Sequence, residues 1–174
     1  KNPSEYGNAE KNDKPEKSSA DGIEISDGIL KIKGEPMDIP LSYTAMVRIF
    51  GKERIVFTHR TMQDDNGRTV QYDRRSFLVW DNAGVTAVRN EENAYNISAI
   101  YLWVTESKTP AESIPVPASV FSGDVLVDGV RWDRKSDMAV SSGKLEIAAP
   151  VSGGYMEITL ADSRDRKDTW QHYR

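Results

Sequence analysis

The sequence contains no cysteine, which excludes disulfide bonds, cysteine-based zinc sites, iron–sulfur clusters and cysteine nucleophiles. It also has no apolar run of the length needed to cross a bilayer. Lys and Arg number 23 and Asp and Glu 27, so the net charge is −4, whereas nucleic-acid-binding domains are usually basic. We therefore expect a domain held together by its hydrophobic core, with no nucleic-acid partner.

Histidine is almost as scarce, with only His59 and His172 in the chain. His59 ends a predicted strand, and as a general base it would need a carboxylate nearby; Asp64 and Asp65 follow it across a turn. We favour the interpretation that His59 is a half-buried strand residue bonded to backbone. His172 lies near the end of the chain, where we assign it no catalytic role.

Motifs of known enzyme classes are also missing. No G-x-S-x-G or phosphate-binding loop is present, and Asp64-Asp65-Asn66-Gly67 lacks the alternating spacing of a calcium loop. A glycosidase would need two carboxylates about 5–9 Å apart. Candidates for such a pair are Asp124, Asp128, Asp133 and Asp137. We predict a non-enzymatic protein without metal or cofactor, with a hydrolase using an unrecognised carboxylate or histidine site as an alternative.

The first stretch of the chain is polar. Residues 1–21 are dominated by Lys, Glu, Asp, Asn, Ser and Pro, and Tyr6 is their one large apolar side chain. Such a segment cannot bury enough surface to offset its ordering entropy, so we predict a flexible tether. A start at Lys1 fits either removal of an upstream segment or an arbitrary boundary. We expect an exported protein of a bacterial envelope, periplasmic or surface-bound, with a lipid anchor upstream of Lys1.

From Gly22 onward, short apolar runs alternate with turns. Ser26-Asp27-Gly28 is a turn signal, with a glycine available for positive φ. Asp128-Gly129 between apolar runs is a hairpin signal, because a type I′ turn needs positive φ at two successive residues. The predicted strands span 22–25, 29–33, 43–50, 54–60, 68–80, 85–89, 95–105, 125–127, 130–132, 144–148 and 155–160. This pattern predicts an all-β fold, an antiparallel β-sandwich or partly open barrel, with a short C-terminal helix over 161–174.

Four of these strands carry more specific expectations. Residues 43–50 and 54–60 should form a hairpin around Gly51-Lys52-Glu53. Arg74-Arg75 should mark either a bulge in the long run 68–80 or the junction of two strands at an angle. Residues 95–105 carry apolar side chains on both faces, which predicts a central strand. We expect one domain over 22–174; the proline-rich segment 109–117 offers an alternative split into two small β domains.

Binding residues are predicted from aromatic and basic positions. Of the four tryptophans, three lie in strand runs and are assigned to the core: Trp80, Trp103 and Trp132. Trp170 and Tyr173 instead lie in a charged tail, and Arg74 and Arg75 form a small basic group on a strand. Exposed aromatic and arginine side chains dominate protein contacts. We predict that these four residues bind a protein partner; a carbohydrate-binding module using the tryptophans is an alternative.

Overall fold

The computed structural model describes residues 20–90, 93–104, 114–150 and 154–160, and it gives residues 59, 60 and 71–74 as backbone only. Within these ranges the chain forms thirteen strands and one short helix. The strands are β1 (Ile23–Ser26), β2 (Ile29–Ile32), β3 (Glu35–Met37), β4 (Leu41–Ser42), β5 (Arg54–Gln63), β6 (Thr69–Trp80), β7 (Val85–Arg89), β8 (Asn96–Trp103), β9 (Val125–Val127), β10 (Val130–Arg131), β11 (Met138–Ser142), β12 (Leu145–Ala149) and β13 (Tyr155–Thr159). The predicted mostly-β fold is confirmed.

The smaller sheet has five strands in the order β10-β9-β1-β2-β3. Both predicted Asp-Gly turns close hairpins in it: φ is 51° and 76° at Asp27 and Gly28, and 49° and 78° at Asp128 and Gly129. Strands β1 and β9 are far apart in sequence and pair in parallel. Pro36 lies in β3 at the edge of the sheet, where a residue without an N–H is tolerated.

The larger sheet has eight strands. Seven follow the order β11-β12-β13-β8-β7-β6-β5, all antiparallel, and β4 pairs with part of β8. The central position predicted for residues 95–105 is confirmed, because β8 is flanked on both sides and is buried from Ile97 to Trp103. Both sheets contain strands from either side of residues 109–117. The number of domains stays a prediction.

The two faces of β8 pack into two different hydrophobic clusters. Ile100 and Leu102 join side chains of the smaller sheet, such as Ile23 and Ile32, in the main core. Tyr101 and Trp103 alternate with them and belong to a second cluster. This division follows from the two-residue period of a strand. One core therefore joins the two sheets, and a smaller one covers the outer face of β8.

The predicted strand at residues 43–50 is wrong, because this segment is the helix α1 (Tyr43–Phe50). Ser42 caps it by accepting a hydrogen bond from the Ala45 N–H at 3.1 Å, and Gly51 ends it with φ of 85°. Met46 is fully buried, so the helix is fixed by one apolar face. Strand β5 consequently pairs with β6 and not with residues 43–50.

The bulge predicted near Arg74-Arg75 is present in β6. Arg60 pairs with Asp73 but Thr61 pairs with Gln71, so Tyr72 is an extra residue on β6. Other predictions lie outside the described residues: the tether up to residue 19, the C-terminal helix over 161–174 and most of the proline-rich segment. Within the described ranges, no helix has the length and apolar character to span a membrane.

Candidate protein-binding surface

Strands β5 and β6 extend past the rest of the larger sheet as a two-stranded ribbon. Strand β7 pairs with β6 only from Phe77 to Trp80, so the preceding part of β6 has β5 as its neighbour. We define the ribbon as residues 57–76. In the part of the chain that the structure describes, no strand pairs with the outer edge of β5. The ribbon is therefore an arm of two strands with no third strand paired to it in the described residues.

Large apolar side chains are exposed on and beside this ribbon. Met62 is 50% exposed, and its cross-strand partner Val70 is 37% exposed. Phe57 is 48% exposed and Ile55, just before the ribbon, 43%. These four are more than half of the large exposed hydrophobic residues in the described chain, the others being Ile29, Tyr95 and Val130. Because side chains alternate along a strand, Ile55 and Phe57 lie on one face of β5, and Met62, with Val70 beside it, lies on the other. They are two small groups of exposed apolar side chains, one near each end of β5.

Basic residues lie in the middle of the ribbon, between Phe57 at one end and the pair Met62 and Val70 at the other. The register pairs His59 with Arg74, Thr58 with Arg75 and Arg60 with Asp73. Residues 57–76 hold four arginines and three aspartates, a net charge of +1 in a chain of net charge −4. The ribbon is thus rich in arginine, but its charge is largely balanced by aspartate.

Glu53 and Arg54 come just before the ribbon along the chain, and we call them its root. Arg54 is held there by a bidentate ion pair. The Arg54 guanidinium donates two hydrogen bonds of 2.9 Å to the Asp81 carboxylate, which also accepts the Ala118 N–H at 3.0 Å. The hydrogen bonds from Arg54 are the main reason why the pKa of Asp81 is lowered, and the same contact raises the pKa of Arg54. The planar fork of arginine makes such a pair directional, so it orients the first residue of β5.

Helix α1 holds the residue that precedes β5. The Tyr43 hydroxyl donates a hydrogen bond of 2.5 Å to the Glu53 carboxylate, and the Arg89 guanidinium lies 4.5 Å from the centre of the Tyr43 ring. The carboxylate acceptor, followed by burial, raises the pKa of Tyr43. Glu53 and Arg54 are therefore each fixed by a partner on a different element.

A cavity of about 500 Å³ lies at this root. Its walls include Phe50, Trp80 and Phe121, together with the Arg54–Asp81 pair. The rings of Phe50 and Trp80 are 5.7 Å apart. Charges of both signs surround it in equal number, from Lys33, Lys52, Arg54, Asp21, Glu53 and Asp81. The cavity therefore has no charge preference, but it is continuous with the start of β5.

The predicted binding residues are divided by the structure. Arg74 and Arg75 both lie on β6 within the ribbon, and the Arg75 side chain is half-buried. Trp170 and Tyr173 lie outside the described residues. The sequence reasoning missed the exposed pair Met62 and Val70. A signal existed, because both flank the turn Asp64-Asp65-Asn66-Gly67 in strands longer than their neighbours.

The tryptophans in the strands are core residues, as predicted. Trp80, Trp103 and Trp132 are at most 7% exposed. Each indole N–H has an internal acceptor: Gly51 O at 2.8 Å, Thr86 Oγ1 at 3.1 Å and Ser136 O at 2.9 Å, respectively. These three rings are therefore buried core residues, and a tryptophan that stacks on a sugar would have to be Trp170.

Asp133 and Asp124, two of the carboxylates considered for catalysis, each have a partner in the structure. Asp133 accepts hydrogen bonds from the Lys135 N–H and from both the N–H and the hydroxyl of Ser136. The Ser136 hydroxyl is the largest of the causes that lower the pKa of Asp133 to about 2. A group that stays ionised to this pH cannot serve as a general acid near neutrality. Asp124 lies 3.6 Å from the Arg131 guanidinium.

Metal and histidine chemistry receive no support from the described geometry. Asp64 accepts the backbone N–H groups of Asn66 and Arg68, which makes it a turn-capping residue. Among the described residues, no three His, Asp or Glu side chains gather as a metal site. The side chain of His59 lies outside the description.

Comparison with known families gives one match. Residues 22–142, which are 121 of the 174 residues, match the family described as Domain of unknown function (DUF7738). The chain belongs to this family. Searches of curated proteins and of solved structures gave no match.

The matched span of the DUF7738 domain contains the whole ribbon, its root and the smaller sheet. Strands β12 and β13 lie beyond its end, although β13 pairs with β8 in the middle of the larger sheet. The ribbon is therefore part of the family domain itself and not an addition outside it.

Proposed function

We propose that this DUF7738 protein is a non-enzymatic binding protein that docks a protein partner on the ribbon and its root. The observation that carries the proposal is the exposed apolar pair Met62 and Val70, together with Phe57, on an arm that projects from the larger sheet. An isolated two-stranded hairpin is marginally stable in water, so a long arm of this kind gains from a partner.

The composition of the arm supports a protein and not a small molecule. Protein interfaces combine large apolar side chains with arginine, and both are concentrated here. The tryptophans in the body of the domain do not offer a comparable surface, because their indole N–H groups bond internally. The root adds order, since Glu53 and Arg54 are each held by a described partner.

The absence of cysteine allows a direct test by site-specific crosslinking. The Met62→Cys and Val70→Cys variants each carry one thiol, to which a maleimide photo-crosslinker is attached. The labelled full chain is irradiated in extract of the source cells, and products are identified by mass spectrometry. We expect both variants to crosslink the same protein, and excess unlabelled wild-type chain to abolish the product.

The matched control is Val130→Cys, at a position that is 66% exposed on β10 in the smaller sheet. We expect it to give no product, or a different one that unlabelled chain does not displace. Equal labelling from Val130→Cys, or no displaceable product from the ribbon positions, would contradict docking on the ribbon.

Two further parts of the proposal concern architecture and location. We propose that the two sheets face each other as a sandwich, which the shared main core supports. We also propose export to a bacterial envelope, supported by the polar composition of residues 1–21. Fractionation of cells that express the native gene tests the location, and recovery in the cytoplasm alone would rule it out.

A further inference from the structure

We propose that two copies of this chain pair through the start of β5, residues 54–58, with Val56 of one copy opposite Val56 of the other. This inference goes beyond the proposed function, because it assigns a second contact, with a different occupant, beside the ribbon. The larger sheets of the two copies would continue into each other across a two-fold axis. Such a contact is closed, since both copies use the same residues.

Strand β5 differs from the strands at the other three ends of the two sheets. In the smaller sheet, β10 has two residues and β3 has three, with Pro36 in β3. Short strands and proline protect an edge from pairing. Strand β11 ends the larger sheet with five residues, of which Ala139 and Ser141 are the exposed ones. Strand β5 has ten residues without proline or lysine and exposes Ile55 and Phe57, so it gains most from being paired.

The apolar residues at the start of β5 make this strand complementary to itself. Ile55 and Phe57 lie on one face, two residues apart, with Val56 between them. An antiparallel pair centred on Val56 sets Ile55 of each copy opposite Phe57 of the other. Centring the pair on Ile55 would instead oppose Phe57 to Glu53, and centring it on Phe57 would oppose Ile55 to His59. Only the register at Val56 therefore joins all four side chains in one apolar cluster, where opposite Cβ atoms are about 4.5–5.5 Å apart.

The charges near β5 permit this register and limit its length. Arg54 would stand opposite Thr58, and its guanidinium is already bonded to Asp81 of its own copy. Two positions further out, the register would oppose Lys52 to Arg60, and like charges directly opposite each other destabilise a strand pair. Pairing is therefore expected over residues 54–58 and not along the whole strand.

The dimer leaves the far end of the ribbon uncovered. Met62 and Val70 lie on the opposite face from Ile55 and beyond the paired residues, so a partner could contact them in either the monomer or the dimer. A contact of five residues in each copy is small, and interfaces below about 1,200 Å² are typical of weak complexes. We therefore expect a dissociation constant roughly between micromolar and millimolar.

The absence of cysteine allows the register to be tested by disulfide formation in the full chain. In the dimer, Val56→Cys meets its own copy at a Cα distance of about 4.5–5.5 Å, which a disulfide spans. Thr58→Cys is the matched control, because Thr58 is also half-buried and on the same face. Its two thiols would stand four residues apart along the strands, about 13 Å. We expect linked dimer from Val56→Cys alone on mild oxidation; no linked dimer, or as much from Thr58→Cys, would overturn the register.

Sedimentation equilibrium of the unmodified chain measures the association itself. We expect a monomer–dimer equilibrium, and Ile55→Glu should raise its dissociation constant at least about tenfold, because it places a carboxylate against Phe57 of the other copy. Val130→Glu, at an exposed position of the smaller sheet, should leave the equilibrium unchanged. A monomer at every concentration up to about 1 mM would overturn the dimer. Association that Ile55→Glu leaves unchanged would overturn it as well, since the contact would then lie elsewhere.

Failure of the dimer and failure of the proposed docking give different results. The double variant Ile55→Glu, Met62→Cys should be monomeric and still crosslink the partner, because Ile55 precedes the ribbon. Ribbon crosslinks from a chain that never dimerises would overturn this inference and leave the docking intact. A Val56-centred dimer without a crosslinked partner at Met62 and Val70 would support this inference and contradict the docking.

Discussion

The two ends of β6 show how one strand can serve two purposes. At its C-terminal end, Phe77 to Trp80 are buried between β5 and β7 and reach both hydrophobic clusters. At its N-terminal end, Thr69 and Val70 are exposed, with β5 as the paired strand. The difference does not come from apolar content alone, since Val70 and Val79 are the same residue type. It comes from which elements cover each end, so stability should reside in the body and binding in the ribbon.

The largest test of this comparison uses two glycines with nearly the same backbone conformation. Gly84 has φ of 69° in the body, and a Cβ there would lie 2.1 Å from the Phe121 nitrogen; Gly67 has φ of 72° at the ribbon turn, with nothing within 4 Å. We expect Gly84→Ala to lower the free energy of unfolding by more than about 4 kcal/mol, because strain and overlap combine. Gly67→Ala should cost about 1–2 kcal/mol, from the left-handed conformation alone.

Urea unfolding monitored by tryptophan fluorescence measures both variants. Equal losses of unfolding free energy would show that the left-handed backbone conformation, and not overlap with Phe121, sets the cost at both glycines. The body would then pack no more closely than the ribbon at these two turns.

The second test compares two apolar positions on the same strand. Leu78 is fully buried, and Leu78→Ala should lower the free energy of unfolding by about 2–5 kcal/mol, since it removes buried contacts and leaves a cavity. Val70→Ala should change it by less than about 0.5 kcal/mol, as expected of an exposed site. Chemical denaturation checks both, and a large loss for Val70→Ala would mean that the ribbon is packed against something in the free protein.

A smaller effect is expected at the root of the ribbon. Asp81→Asn removes the charge that Arg54 pairs with but keeps an oxygen for the Ala118 N–H. The pair is partly exposed, so the loss of unfolding free energy should be about 1 kcal/mol or less. We expect faster amide exchange in β5 as the clearer signal. Glu35→Gln, which breaks the exposed ion pair of Arg48 with Glu35, is the matched control and should leave β5 unchanged.

The smallest effect concerns an exposed loop that is nevertheless ordered. The folded-state pKa of Asp133 is about 2, below the ordinary value of 3.8, so its contribution to stability is present above pH 3.8 and is lost as the pH falls toward 2. Ser136→Ala should raise the pKa of Asp133, because the serine hydroxyl is the largest cause of the shift. An NMR titration of the carboxyl group checks this, and an unchanged pKa would show that the loop is not ordered by that bond.

Parts of the fold were predictable because they depend on local physics. The Asp-Gly turns and the buried strand β8 follow from positive φ and from apolar residues on both faces. The helix at Tyr43–Phe50 was missed although its signals are local. Ser42 and Gly51 are its caps, and Tyr43, Met46 and Phe50 recur with helical spacing. The alternation of Ala45, Val47 and Ile49 suggested a strand instead.

The candidate site was only partly predictable for a different reason. Arg74 and Arg75 were identified as basic residues on a strand, but nothing local shows that the pairing of β7 with β6 ends at Phe77 and leaves them on a ribbon. Exposure of Met62 and Val70 likewise depends on what lies beside them. A period-two pattern describes the faces of a strand and not its neighbours.

The sequence by itself determined a cysteine-free, mostly β chain whose turns are placed by Asp-Gly pairs, because backbone conformation and periodicity depend on adjacent residues. Tertiary structure alone decided that β1 pairs in parallel with β9, that the tryptophans of the strands bond internally, and that β5 becomes an outer edge. Those outcomes depend on pairing between segments far apart in the chain, where the free energy of the whole core selects one arrangement over others of similar local quality.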